Sequence, residues 1–135
     1  MTKPIPAYQL KRDAWIVALK TQGHRRCVKA FCDWDSIRDI SHLWPKERKL
    51  RHYRVCALAL LAEVLGHDPI AVFYEPQTHV PVDCLADELQ VPRNLLTNVM
   101  DNSDKYNWDF DRVADYMTGW FKLVDEGVLV PTDRD

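Results

Sequence analysis

The chain has 135 residues, 47% of them apolar and 28% charged, with a formal net charge of −2, the size and composition of one ordinary globular domain. Its longest unbroken apolar run, Val55 to Ala62, is eight residues, against the roughly 20 that a membrane-spanning helix needs. Four cysteines at 27, 32, 56 and 84 are too sparse for a disulfide scaffold, and no apolar leader follows Met1, so a cytoplasmic protein with reduced thiols is expected.

The small net charge hides a division. Residues 1–54 carry 13 Lys and Arg against 5 Asp and Glu, and residues 55–135 carry 5 against 15. One domain over 1–135 is therefore expected to have a basic half and an acidic half. Three consequences are open: the basic half meets phosphate, the halves pair inside the fold, or copies associate basic face to acidic face.

In chain order, residues 7–22 carry Leu10, Ala14, Ile16, Val17, Ala18 and Leu19 and stop before Gly23, which predicts a helix. A short helix over 25–33 would place Cys27, Val28, Phe31 and Cys32 on one face, and Asp35 or Ser36 would cap a turn ending by Pro45. Segment 45–65 is the clearest helix, with Pro45 at its first position, Gly66 just past its end, and Leu50, Tyr53, Ala57, Leu60, Leu61 and Val64 in one stripe. Residues 70–74, β-rich between Pro69 and Pro76, read as a strand, and 79–82 as a second extended piece. Helices are expected over 83–90 and from Pro92 or Arg93 to Met100, followed by a polar loop over 101–107. Asp109 caps a last helix striped by Phe110, Val113, Ala114, Met117, Trp120, Phe121 and Val124, which ends at Gly127 before a short strand over 128–130. The expected class is mainly α: a compact helical domain with a helix-turn-helix-like pair and one or two short β-strands.

One segment has a recognisable pattern. From Val82 to Asp101, apolar residues fall at Leu85, Leu89, Val91, Leu96 and Val99, a small residue at Ala86, and Gln90 stands at the turn. This resembles the helix-turn-helix of DNA-binding proteins, in which the small residue lets the second helix cross closely and a left-handed glycine makes the turn. The resemblance implies that Arg93, Asn94, Thr97 and Asn98 face outward. Arg pairs with guanine and Asn with adenine through two hydrogen bonds each, so these side chains suit base edges. A broader resemblance to winged-helix domains, including those of plasmid replication initiators, rests on segments 50–65, 70–74, 83–90 and 127–130. It implies an α+β winged-helix-like variant and a regulatory or replication-accessory role in a plasmid or phage. Five residues follow Val130, so no full wing is expected. Helix 109–126 is assigned to packing, because its Asp109, Asp111, Asp115, Asp125 and Glu126 would oppose phosphates.

Lys46, Arg48, Lys49, Arg51 and Arg54 crowd the start of the helix expected over 45–65, where cations oppose the helix dipole and an incoming anion would relieve them. Arg25, Arg26 and Lys29 form a second cluster, and Trp34, Trp44 and Tyr53 are candidate stacking groups. His24, Cys27 and Cys32, with His42, His52 and Cys56 as further donors, lack the paired spacing of a closed zinc site, and the cysteines, on apolar faces, read as structural thiols. No phosphate loop or hydrolase motif occurs, and the one close Cys/His/acid group, His79, Asp83 and Cys84, has nothing to orient it. No cofactor, metal or catalytic residue is expected.

The sequence reads best as a non-enzymatic nucleic-acid-binding protein with DNA as partner. The rival is an interaction module or inhibitor whose carboxylates at Asp101, Asp104, Asp109, Asp111 and Asp115 imitate nucleic acid before a protein partner.

Overall fold

The computed structural model describes residues 4–27, 42–44, 47, 53–74 and 82–131. Six α-helices lie among them: α1 (Ala7–Thr21), α2 (Ala57–Val64), α3 (Pro69–Tyr74), α4 (Val82–Leu89), α5 (Arg93–Tyr106) and α6 (Phe110–Asp125). A 3-10 turn over Gly23–Arg25 follows α1. The only β pairing among the described residues is an isolated parallel bridge between Arg26 and Val55. The protein is mainly helical, and no described helix is long and apolar enough to cross a membrane.

The centre is α2. All six residues from Ala57 to Ala62 are buried, and a helix apolar on every side has to be enclosed by others. It touches α1, α3 and α5, while α1 also lies against α6 and α4, and α4 packs on α5. The resulting core draws on all six helices. On α1 the inward stripe is Arg12, Trp15, Ala18 and Leu19, whereas Leu10 and Val17 face solvent. The Trp15 indole reaches the helix it covers, donating from Nε1 to the Ala57 carbonyl at 3.1 Å. Its ring also tilts against Phe121 of α6, with centroids 6.4 Å apart.

Five expected elements are corrected. Residues 69–74 form a helix, not a strand. A short apolar run does not distinguish the two, and Pro69 in the first turn, with Val72 N–H donating to the Asp68 carbonyl at 2.9 Å, decides for the helix. The polar stretch 101–107 is helical to Tyr106. Its Asp and Asn residues mark the solvent side of an amphipathic helix whose Leu95, Leu96 and Val99 are buried. The helix expected over 45–65 is not continuous: Glu47 is helical, 53–56 are not, and α2 opens at Ala57, because Val55 is extended against Arg26 and the Cys56 sulfur caps the Ala59 N–H at 3.4 Å. Most of 45–52, including Leu50, lies outside the described residues. Residues 128–130 pair with no strand among the described residues. The extended piece at 79–82 is likewise not a strand at its described end, since Val82 opens α4. The segments carrying Cys32, Asp35 and Ser36 also lie outside the described residues, and only the start of 25–33 is seen, as the end of a 3-10 turn.

Candidate nucleic-acid interface

The pair α4–α5 is locked by the side chains singled out above. Leu85, Ala86, Leu89, Val91, Leu96 and Val99 are all buried. Between the helices Gln90 adopts φ +56°, the left-handed conformation that motifs of this kind usually give to glycine. The Val91 N–H returns to the Ala86 carbonyl and the Gln90 N–H to Asp87, each at 3.1 Å, which closes the end of α4 in the manner of a Schellman turn.

A glutamine in this conformation costs about 1–2 kcal/mol relative to ordinary helix, so something must hold it. That group is Arg12, a residue of the basic half only 1% exposed. Its Nε donates to the Leu89 carbonyl at 2.8 Å and its Nη2 to the Gln90 carbonyl at 3.1 Å. Nη1 forms a two-pronged pair with Asp125, at 3.0 and 2.9 Å. The guanidinium sits 4.7 Å from the Tyr8 ring and 4.8 Å from the Phe121 ring. Arg12 thus satisfies the orphan carbonyls at the end of α4 and fixes where α5 begins. Charge counting places it on the surface. The signal that finds it is spacing, since 12, 15 and 19 share one helical stripe with two large apolar side chains.

A second tie joins α4 to its neighbours. Glu88 accepts from Lys11 at 3.3 Å through Oε1 and meets His67 Nε2 at 3.0 Å through Oε2. Partial burial works to raise the Glu88 carboxyl, but the hydrogen bonds from His67 and Lys11 outweigh it and hold it below the usual range.

The outer face of α5 is differently occupied. Arg93 and Asp83 form an exposed pair at 3.2 Å, of the kind worth little in water. The Thr97 hydroxyl turns back to the Arg93 carbonyl at 3.3 Å. Asn94 donates from Nδ2 to the Val130 carbonyl at 2.8 Å and lies 3.4 Å from the Pro131 carbonyl. Asn98 donates to the same Pro131 carbonyl at 2.9 Å. The four predicted base readers are therefore together on one helix, but segment 128–131 lies over the two asparagines.

The other predicted cations divide three ways. Arg25 is buried: it donates to the Tyr53 carbonyl at 3.1 and 2.9 Å and pairs with Glu63 at 2.7 and 3.2 Å. This guanidinium is an internal clasp between the start of the chain and α2, and it drops out of the candidate surface. Half-buried Arg26 donates from Nε to the Trp108 carbonyl at 2.7 Å and from Nη2 to the Asn107 side chain. Arg54 is exposed, and Lys29, Lys46, Arg48, Lys49 and Arg51 lie outside the described residues. The ion pairs Lys11–Glu88, Arg12–Asp125 and Arg25–Glu63 each join the basic half to the acidic half. Part of the charge division is thus resolved inside the fold.

Asp101, Asp104, Asp109, Asp111 and Asp115 are all exposed. Asp109 has a structural duty as well, accepting from the Arg112 N–H at 2.8 Å at the start of α6. Interleaved with these carboxylates in sequence are aromatic side chains that composition and spacing do not single out. Tyr106 stacks on Trp108 with centroids 6.4 Å apart, and Trp108 tilts against Tyr116 at 5.1 Å. Lys105 and Arg112 lie over Tyr106 and Trp108 at 5.2 and 5.3 Å. Among the described residues no three His, Cys, Asp or Glu side chains group as metal ligands. Cys84 is exposed, and His79 lies outside the described residues.

No family model, curated protein or solved structure matches the chain.

Proposed function

We propose that the protein binds duplex DNA through α4 and α5, with α5 entering the major groove, in a regulatory or replication-accessory role. The observation carrying this reading is the register of the pair. Each apolar position of the motif is buried, and Gln90 alone takes the left-handed turn between the helices. Arg93, Asn94, Thr97 and Asn98 then share one side of α5 near its start, where recognition helices contact bases. Exposed Arg54 and the cations at 46–51 supply the sequence-blind attraction to phosphate. The test is a mobility shift with generic duplex and with single-stranded DNA at low and moderate salt. Binding to duplex that weakens steeply with salt supports the reading, and absence of binding at low salt overturns it.

A second reading is favoured by the surface around Tyr106. This ring is 58% exposed and stacks on Trp108, and Asp101, Asp104 and Asp109 are exposed within five residues of it in sequence. Tyr and Trp are typical anchors of protein interfaces, and exposed carboxylates favour a basic partner. On that reading the protein is an interaction module whose acidic face occupies a partner's nucleic-acid groove. Reversing Asp101, Asp104 and Asp111 to Lys abolishes partner capture if it is right, and leaves DNA binding unchanged or stronger if the first reading is.

A further inference from the structure

The chain leaves α6 through Gly127 at φ +86°, and the Val128 N–H returns to the Leu123 carbonyl at 2.9 Å. That turn sends residues 128–131 across the outer side of α5. Only Val130 is anchored, buried with the core, while Leu129 is 89% exposed. The remaining attachment is made by Asn94 and Asn98, one helical turn apart, holding the Val130 and Pro131 carbonyls.

We propose that residues 128–131 are an autoinhibitory strap, and that the base-reading form of the protein is the one in which this strap has lifted from α5. The proposal rests on the duplex-binding reading given above. The chemistry is a direct competition. An asparagine reads adenine by donating from Nδ2 to N7 while Oδ1 accepts from the N6 amino group. An amide nitrogen has two hydrogens, and those of Asn94 are directed at two strap carbonyls. Asn98 commits its nitrogen to Pro131. The strap backbone also covers these side chains, so α5 cannot bring them to the floor of a groove while it is seated. One valine anchor and a few hydrogen bonds at the surface make an attachment that a base edge can displace. Because Pro131 has no N–H, the strap cannot add a backbone donor at that residue.

Affinity for a site read by a fractionally open protein falls by the open fraction. The experiment compares the full chain with a chain ending at Gly127, using a fluorescent duplex selected from a randomised pool with the shortened chain. The shortened chain is expected to bind that duplex at least about ten-fold more tightly, corresponding to a full chain that is open about a tenth of the time or less. The advantage should vanish when Asn94→Ala and Asn98→Ala are combined in both chains. Val130→Ser in the full chain removes the anchor without altering charge, and should recover part of the gain; it decides the matter if the shortened chain does not fold, as judged by circular dichroism. Equal affinities of the unaltered, shortened and Val130→Ser chains would overturn the strap and leave the duplex reading standing. Absence of binding by all three, even at low salt, would overturn both.

Discussion

The two ends of α5 solve one problem with different materials. Each is bounded by a non-glycine residue in the left-handed region, Gln90 at φ +56° and Asn107 at φ +54°. Each is also gripped by an arginine from the first 26 residues, Arg12 at the near end and Arg26 at the far end. At the near end the turn residue is ill suited and the arginine is fully buried, ion-paired and flanked by two rings. At the far end asparagine tolerates the conformation by itself, and the arginine is half-buried. The contrast teaches that a strained turn can be kept without glycine when a buried donor fixes the carbonyls around it. The support then lies far from the turn in sequence.

The comparison breaks most easily at Arg12. Arg12→Met removes the donors to the Leu89 and Gln90 carbonyls and the ion pair with Asp125, and is expected to cost about 3 kcal/mol in urea denaturation. A loss under about 1 kcal/mol would show that Gln90 needs no support. Arg26→Met should cost only about 1 kcal/mol, since water can replace its contacts at a half-exposed site.

The turn residues themselves should answer with opposite signs. Gln90→Gly relieves the left-handed penalty and is expected to stabilise by about 0.5 kcal/mol after the added chain entropy of glycine. Asn107→Gly gains little from its backbone and loses the Arg26 partner, so a small loss, about 0.5 kcal/mol or less, is expected. Two gains of equal size in thermal melts would erase the distinction.

The smallest effect is electrostatic and belongs to the near end alone. Glu88 has its carboxyl held below the ordinary value of 4.5, so the ion form is the one the fold favours. Its contribution is complete above that ordinary value and is lost as pH falls through the lower, folded-state value. Glu88→Gln should therefore be less stable than the parent at neutral pH, and the gap should close as pH falls through the lowered folded-state value. A gap that persists in acid would mean that packing, not charge, is responsible.

Much of α4 and α5 was legible because their apolar spacing is local. Leu85, Leu89, Leu96 and Val99 reveal the buried side without any knowledge of the rest of the chain. What could not be read was anything supplied from a distance. Asn94 and Asn98 have side chains that suit a base edge, but the same amides suit a passing backbone, and the carbonyls they hold are 33–37 residues away. Arg25 reads as a surface cation, and Arg12 does not stand out among the 13 basic residues of 1–54, because a sequence gives the sign of a charge and not its depth. Residues 70–74 read as a strand because Ile70, Val72 and Phe73 have β propensity, which burial against α2 overrides in the helix 69–74. The loop expected over 101–107 failed the other way, its polarity reporting solvent and not a break in the backbone.

The cap at the head of α2 has a chemical consequence. Burial pushes the Cys56 thiol up to about 11, so near neutral pH almost none of it is the thiolate that reacts with alkylating agents. Cys84, on α4, is exposed. The Cys56 sulfur is half-buried and engaged with the Ala59 N–H at the head of α2, which packs against α1, α3 and α5. An alkylating agent at neutral pH is therefore expected to label Cys84 well before Cys56, and the delay between the two reports how seldom the head of α2 opens.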